Sequence, residues 1–508
     1  MPERCFLWLR RVSLGELCIL RGDEWFRVIR NEFFNFMSTN GNGTEVSKES
    51  IFAILKEAVA GSDRDFTTAP LGTAIFLLAV PMIIEMFAES LFAIVDIFFV
   101  AHIGADAIAV VGITESMMFL IYSVAIGIAI GATATVARRV GEGDADGASR
   151  TATHAIYLGF AASAILGVIG FVFAADLLRL MGAEGSVVAT GTTFTQIMLG
   201  GNIVVLALFL LNAIFRGAGD AAIAMRVLWF ANILNIILGP CFILGIGFFP
   251  ELGVTGAAVG TTIGRGCGAL YAAYCLFFGN RRITIHAEHW RLEPERLLKL
   301  VKVSAPAVVQ FFVQTASWIG LVRVVTGFGT AAVAGYQIGI RMVMFALLPS
   351  IGLANAAATL VGQNLGAGKP DRAEQAVWKA VRYNALVQTS IGIVFVIFAA
   401  QIAAIFSTEP DVHAYATDAL RVIAYGFFFY AVGMVLETAF NGAGDTITPT
   451  YIALGVFWLF EIPLAYFLAY HIGLGAHGAF WSITIAFSVL AVVSAVIFKR
   501  GKWKLKEV

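Results

Sequence analysis

Long apolar segments, separated by short polar breaks, fill the chain from residue 71 onward. A transmembrane helix needs about 20 consecutive, mostly apolar residues. Twelve segments reach that length, at 71–101, 107–137, 150–176, 187–215, 221–246, 254–278, 297–326, 332–362, 374–405, 412–440, 447–470 and 477–498. The pattern predicts an all-α polytopic membrane protein with twelve transmembrane helices.

The second six segments repeat the register of the first six. Residues that bend or close helices recur at a constant offset of 306 − 81 = 225 positions: Pro81 and Pro306, Gly104 and Gly329, Gly141 and Gly366, and the runs 217–220 and 442–445, both Gly-Ala-Gly-Asp. Because proline and glycine mark kinks and turns, one architectural unit is used twice. An even number of spans per unit makes this a parallel repeat, with two pseudo-symmetric six-helix lobes related by an axis along the membrane normal.

Composition agrees with a membrane protein and excludes other classes. Hydrophobic residues make up 59% of the 508 residues, charged residues 13%, and the mean hydropathy is +0.83, which exceeds what a soluble core of this length buries. The formal net charge of zero gives no basic surface for a nucleic acid, so none is expected as a partner. The five cysteines form no CxxC, and His286 with His289 lacks a third ligand nearby, so no metal and no cofactor are expected.

Five regions follow from this pattern. Residues 1–69 form an N-terminal extension that differs in composition from the rest of the chain. The apolar residues of 51–59 fall on one face and predict a short helix lying on the membrane surface, and a solvated tail is an interpretation of the part before it. Residues 70–278 form the N-lobe, 279–296 a polar linker, 297–498 the C-lobe and 499–508 a basic tail. We expect a monomer whose partners are the lipid bilayer and a small organic substrate.

The distribution of Lys and Arg predicts the orientation. The connections after the second and eighth spans, the linker and the tail are all basic, whereas the breaks around Gly104, Phe249, Gly329 and Gly475 contain neither residue. By the positive-inside rule, both termini are cytoplasmic in a multi-pass protein of the cell membrane.

Carboxylates within the spans are the first functional candidates, because each costs about 2.5 to 3.5 kcal/mol on insertion scales. Glu85, Glu89 and Asp96 lie on one side of the first span at 100° per residue, and Glu115 lies in the second. The copies of the first two are Gln310 and Gln314, and the copy of Asp96 is Leu321. We therefore assign proton or cation binding to the first half, with acids that are only hydrogen-bonded in a wet cavity as the alternative.

The second half is assigned to substrate. Gln310, Gln314, Glu437 and Tyr430 are the predicted cavity residues, since a carboxylate and aromatic rings suit a cationic or lipophilic compound. For Glu437, pairing with an arginine to hold helices together is an equally good interpretation.

Between residues 70 and 499 the chain resembles the multidrug and toxic compound extrusion (MATE) family. The resemblance rests on Val80-Pro81 with Asp96 and Gly104, on 212–220 (Asn-Ala-Ile-Phe-Arg-Gly-Ala-Gly-Asp), on 253–258 (Gly-Val-Thr-Gly-Ala-Ala) and on 440–445 (Phe-Asn-Gly-Ala-Gly-Asp). It implies two six-helix lobes in a V around a cavity that opens alternately to each side, as in the wider MOP superfamily, and Asp96 as the ion-coupling group.

Within that family the chain looks closest to the DinF-like branch. The resemblance also carries over Asn235 and Thr261, or its neighbour Thr262, as polar positions of the first-lobe ion site. Relatives with an ion site there have Asp where Gly239 stands here, so we expect Glu85, Glu89 or Glu115 to replace it in part.

These observations predict a secondary antiporter that exports small organic compounds in exchange for H⁺ or Na⁺. A flippase for a lipid-linked precursor is the alternative within the same fold, although Arg323 and Arg341 are few cations for a pyrophosphate group. An intramembrane enzyme would need a convergent catalytic set, and a channel a selectivity ring. The sequence shows neither.

Overall fold

The computed structural model describes residues 51–101, 103–279 and 282–508, and residues 1–50 of the predicted extension lie outside them. Helix α1 (Ile51–Ala60) occupies the stretch predicted as a surface helix, and its Leu55 and Val59 are exposed. The N-lobe contains α2 (Leu71–Ala101), α3 (Ala105–Gly141), α4 (Ala145–Val172), α5 (Ala174–Leu180), α6 (Gly185–Gly200), α7 (Asn202–Ala218), α8 (Ala221–Leu244) and α9 (Val254–Phe278). The C-lobe contains α10 (Pro294–Val325), α11 (Thr330–Gly366), α12 (Pro370–Phe406), α13 (Pro410–Ala424), α14 (Phe427–Gly442), α15 (Ile447–His471) and α16 (Ala476–Lys499).

The all-α membrane fold predicted from the sequence is confirmed. In the described part of the chain, ten helical segments are long and apolar enough to cross a membrane, and α13 with α14 supplies an eleventh. Helix α9 coincides with the sixth predicted span, but it carries Arg265 and five glycines and is not among the ten.

The fourth and tenth spans were predicted as continuous helices, and the structure corrects this. Helix α6 ends at Gly200 and α7 begins at Asn202, while α13 and α14 meet at 57° across Tyr425 and Gly426. Gly201 and Gly426 are equivalent at the 225-residue offset, so the helix is interrupted at the same glycine in both lobes. A second unpredicted feature is in α15, where 454–461 and 467–471 are π-helical.

The two lobes pack against each other through glycines that make reciprocal contacts. A Cβ atom on Gly127 would lie 2.5 Å from the backbone N of Val308, and one on Gly352 would lie 2.8 Å from the backbone N of Ile83. The two pairs are equivalent at the 225-residue offset. Likewise Gly141 abuts the carbonyl of Gln363, and Gly366 abuts that of Arg138.

The second set of contacts lies where α3 and α11 end. We call this end of the molecule the basic end, defined by the α3–α4 and α11–α12 connections and residues 499–508.

Small residues also hold α8 and α9 together behind the first-lobe acids. Gly260 packs on Gly239, and a Cβ on Gly264 would lie 2.9 Å from the Cβ of Asn235 and 3.0 Å from the carbonyl of Ala231. This small-residue spacing lets the two backbones approach closely. It therefore fixes the position of Asn235.

Substituting Gly264 tests this packing. We expect Gly264→Val to lower the free energy of unfolding by about 1 to 3 kcal/mol, because the added atoms force α8 and α9 apart. Gly266→Val on the same helix is the matched control, since its Cβ would meet Val204 at an ordinary 3.5 Å. Equal thermal unfolding temperatures for the two purified variants would contradict this interpretation.

The linker docks on α4. His289 is 4% exposed; its Nδ1 accepts the backbone N–H of His286 at 2.9 Å, and its Nε2 lies 2.9 Å from an Asp146 oxygen. Because Nδ1 is an acceptor, Nε2 carries the proton and donates to Asp146. His286 and His289 therefore hold a turn. The linker also ends earlier than predicted, since α10 begins at Pro294.

Candidate ion-coupling and substrate sites

The three acids of α2 face neighbouring N-lobe helices, and their surroundings differ. Glu85 is 2% exposed, and its Oε1 accepts a hydrogen bond from Arg216 Nη1 of α7 at 2.8 Å. A buried carboxylate is tolerated when a cation compensates its charge. Glu85 is therefore half of a buried ion pair near the basic end.

Glu89 is also half of an ion pair. Arg265 Nη2 of α9 donates to its Oε1 at 2.7 Å, and Asn232 Nδ2 of α8 lies 3.3 Å from its Oε2. The guanidinium of Arg265 stacks over Phe92 at 5.4 Å, and Arg265 is only 4% exposed. One guanidinium nitrogen, Nη1, has no hydrogen-bond partner. Glu89 and Arg265 thus link α2 to α9.

Asp96 has a different environment. It lines a small cavity between α2 and α8 together with Phe92, Val95, Phe99, Asn235, Ile236, Gly239, Pro240 and Ile243. Among the residues that the structure describes, no cation forms an ion pair with Asp96. The structure thus brings two predicted residues, Asp96 and Asn235, to one cavity.

The side chain of Asn235 is buried and incompletely hydrogen-bonded. Its side chain is 3% exposed, and its Nδ2 has no hydrogen-bond partner. Gly239 stands one turn further along α8, where an added Cβ would lie 3.6 Å from Asn235 Oδ1. Pro240 lacks an N–H, so it cannot bond the carbonyl of Ile236 four residues earlier. Asn235 is therefore a polar neighbour of Asp96 in the lining of this cavity.

Two predicted members of the first-lobe site lie at its edge. Glu115 of α3 is exposed and does not line the cavity. Thr261 of α9 is 6% exposed and lies between Gly260 and Gly264, the residues that pack on α8. Neither contacts the cavity as Asn235 does.

In the C-lobe, three predicted residues form one cluster. Glu437 of α14 is 9% exposed, and its Oε1 accepts hydrogen bonds from Gln310 Nε2 at 3.0 Å and Gln314 Nε2 at 2.6 Å, both on α10. These amides occupy the positions equivalent to Glu85 and Glu89. The C-lobe thus has one carboxylate and two neutral donors where the N-lobe has two ion pairs.

Tyr430 does not join this cluster. It is 2% exposed, and its ring stacks on Phe487 with 3.5 Å between centroids, inside the C-lobe core. Tyr430 therefore belongs to the packed interior rather than to an open cavity. Another buried acid, Glu461, is 2% exposed in the π-helical part of α15.

Sequence reasoning missed the two arginines that pair with the acids. Arg216 and Arg265 stand in apolar helices, so the insertion cost that singled out the carboxylates applied to them as well. That signal indicated intramembrane cations but could not assign their partners.

Comparisons with known proteins agree with this geometry. A profile described as MatE matches residues 81–241 and 306–467, the two copies of the repeat. A probable multidrug resistance protein NorM of Thermotoga maritima is 26% identical over 435 residues, which cover 85% of this chain and 93% of that protein. An FAD transporter of Shewanella oneidensis is 26% identical over 398 residues, covering 78% and 88% of the two chains.

The fold is also similar to that of solved structures. One, titled as the outward-facing conformation of a multidrug resistance MATE family transporter of the MOP superfamily, superimposes with a TM-score of 0.81 at 25% identity. The match covers 89% of this chain and 98% of that one.

Proposed function

Because the chain belongs to the MatE family of membrane transporters, we propose that it is a secondary antiporter that exports small organic compounds in exchange for H⁺ or Na⁺. The cavity that joins Asp96 to Asn235 is the observation that carries this proposal. In the described part of the chain no cation pairs with the carboxylate of Asp96, so this group can change its charge during a transport cycle. The ion pairs of Glu85 and Glu89 hold the surrounding helices in place.

Of the two ions, the cavity suits the proton better. A proton needs a single carboxylate, whereas a hard metal cation needs several oxygen ligands. Apart from Asp96 and Asn235, every side chain that lines the cavity is apolar or absent. Gly239 supplies no second carboxylate. Asp96 would thus accept a proton from the outer side and release it to the cytoplasm.

The substrate would be received by the C-lobe. Glu437 offers a negative charge held by two amides, so a cation entering the cavity would compete with Gln310 and Gln314 for its oxygens. The names of several relatives as multidrug resistance or multidrug export proteins support organic substrates of this kind. They do not favour the lipid-linked precursor flippase considered from the sequence. Members of this family are transporters, and no enzymatic activity is proposed.

We propose that the basic end faces the cytoplasm, which the basic connections support through the positive-inside rule. The reciprocal glycine contacts at that end hold the two lobes together there, which supports an outward-facing state. We further propose that the protein acts as a monomer in the cell membrane, with both termini cytoplasmic.

Transport by the purified protein in sealed vesicles tests the proposal. Ethidium, a lipophilic cation, and FAD are the two substrate probes, each measured with an imposed proton gradient, an imposed sodium gradient and no gradient. We expect ethidium to move against its gradient when protons are supplied. Movement at the rate of protein-free vesicles under all three conditions would refute an antiporter of organic cations, and movement of FAD alone would reassign the substrate class.

A further inference from the structure

Two segments outside the spans each bridge the lobes at the basic end. The strap, residues 61–70, leads from α1 into α2 and is thus continuous with the N-lobe. The clamp, residues 501–508, follows α16 and is thus continuous with the C-lobe. Each lies where the ends of α3 and α11 contact each other.

The strap is bound by the linker on one side and by the C-lobe on the other. Arg282 of the linker donates to the carbonyls of Ser62 at 3.1 Å and Arg64 at 2.6 Å, and it stacks on the buried ring of Phe66 at 4.7 Å. From the C-lobe, Lys369 donates to the carbonyl of Thr67 at 3.0 Å, and Arg372 donates to that of Ala69. Backbone carbonyls of the strap thus accept hydrogen bonds from cationic side chains of both the linker and the C-lobe.

The clamp has the inverse arrangement. Trp503 is buried against Phe498, and Lys504 pairs with Asp371 at 3.0 Å and Glu374 at 2.6 Å, so the segment is anchored on the C-lobe. From the N-lobe, Arg138 donates to the carbonyl of Lys506, and Arg139 lies 3.4 Å from that of Val508.

The contacts between the lobes are therefore reciprocal. In each lobe, cations at the connection after its second span hold backbone carbonyls of the other lobe's terminal segment. Hydrogen bonds from charged donors are the stronger kind. These contacts cross the surface that must open for a cavity to face the basic end.

We propose that the strap and the clamp form a double latch that holds the lobes together at the basic end and sets the fraction of molecules open at the opposite end. This inference rests on the proposed alternating transporter, because the latch matters only if the lobes separate. It gives Arg138 and Arg372 a role beyond fixing the orientation in the membrane.

A distance measurement tests the latch without any substrate. Spin labels are placed at Ala145→Cys on α4 and Gln375→Cys on α12, both exposed and one in each lobe, in a protein whose native cysteines are replaced. Double electron–electron resonance in lipid nanodiscs then gives the distance distribution across the basic end. The latch variant is Arg138→Ala with Arg372→Ala. The control is Lys499→Ala with Arg500→Ala, which removes two exposed charges that bridge no lobes.

We expect the latch variant to raise the ratio of separated to closed molecules at least tenfold, about 1.4 kcal/mol, with the control unchanged. An unchanged distribution in the latch variant, or an equal change in the control, would overturn the proposal. If the double variant does not fold, Lys504→Ala releases the clamp without altering an arginine and should move the ratio in the same direction. A latch that opens in a protein that transports nothing would refute the proposed function alone.

Discussion

Gradient-driven export is expected to be lost when Asp96 becomes Asn. The substituted amide has nearly the same shape but cannot take up and release a proton at physiological pH. Moving one charge across 100 mV supplies about 2.3 kcal/mol. The variant cannot use this free energy to drive export. We expect accumulation of ethidium in vesicles with an imposed proton gradient to fall to the level of protein-free vesicles, while ethidium binding to the detergent-solubilised protein changes less than threefold.

The matched control is Asp106→Asn. Asp106 is an exposed carboxylate in the first turn of α3, outside the Asp96 cavity, and the change removes the same charge. Its transport should stay within twofold of the original protein. Full gradient-driven transport by Asp96→Asn would show that another group carries the ion, and Glu115 would be the next residue to test.

A large loss of stability is expected when Arg216 becomes Met. Glu85 is 2% exposed and has Arg216 as its partner cation, so removing the guanidinium leaves an uncompensated buried charge. Such breaks cost about 3 to 5 kcal/mol. We expect Arg216→Met to unfold at a clearly lower temperature, as measured by intrinsic fluorescence in detergent.

A double variant distinguishes the loss of the ion pair from a loss of helix packing. Glu85→Gln with Arg216→Met removes both charges and should recover most of the lost stability, since two neutral groups of similar size need no compensation. Arg179→Met is the surface control, because its pair with Asp176 is largely exposed and such pairs are worth about 0 to 1 kcal/mol. If the double variant is no more stable than Arg216→Met, the ion pair is not the source of the effect.

The helices could be predicted from the sequence because the length of an apolar run is a direct physical requirement of the bilayer. The predicted spans 71–101 and 254–278 coincide with α2 and α9. The breaks at Gly201 and Gly426 could not be predicted, since a glycine in an apolar run breaks a helix in one place and only permits close packing in another, as Gly127 does.

The site was predictable in part. Helical geometry placed the three acids of α2 on one side, and all three do contact helices of the N-lobe. Their partners could not be assigned, because Arg216 lies 131 residues from Glu85 and Arg265 lies 176 residues from Glu89. Helical period relates residues within one span and says nothing about which distant spans become neighbours. Tyr430 was misplaced because the aromatic run 427–430 covers every side of its helix.

The reciprocal glycine contacts also bear on how such a chain arose. Gly127 meets Val308, and Gly352 meets Ile83, so each half presents the same surface to the other. Such a surface is self-complementary and makes an isologous interface of the kind that joins identical subunits. A gene encoding a single half would therefore have produced a homodimer with this same seam. Fusion then freed each copy to diverge away from the seam, as Asp96 and Leu321 have done.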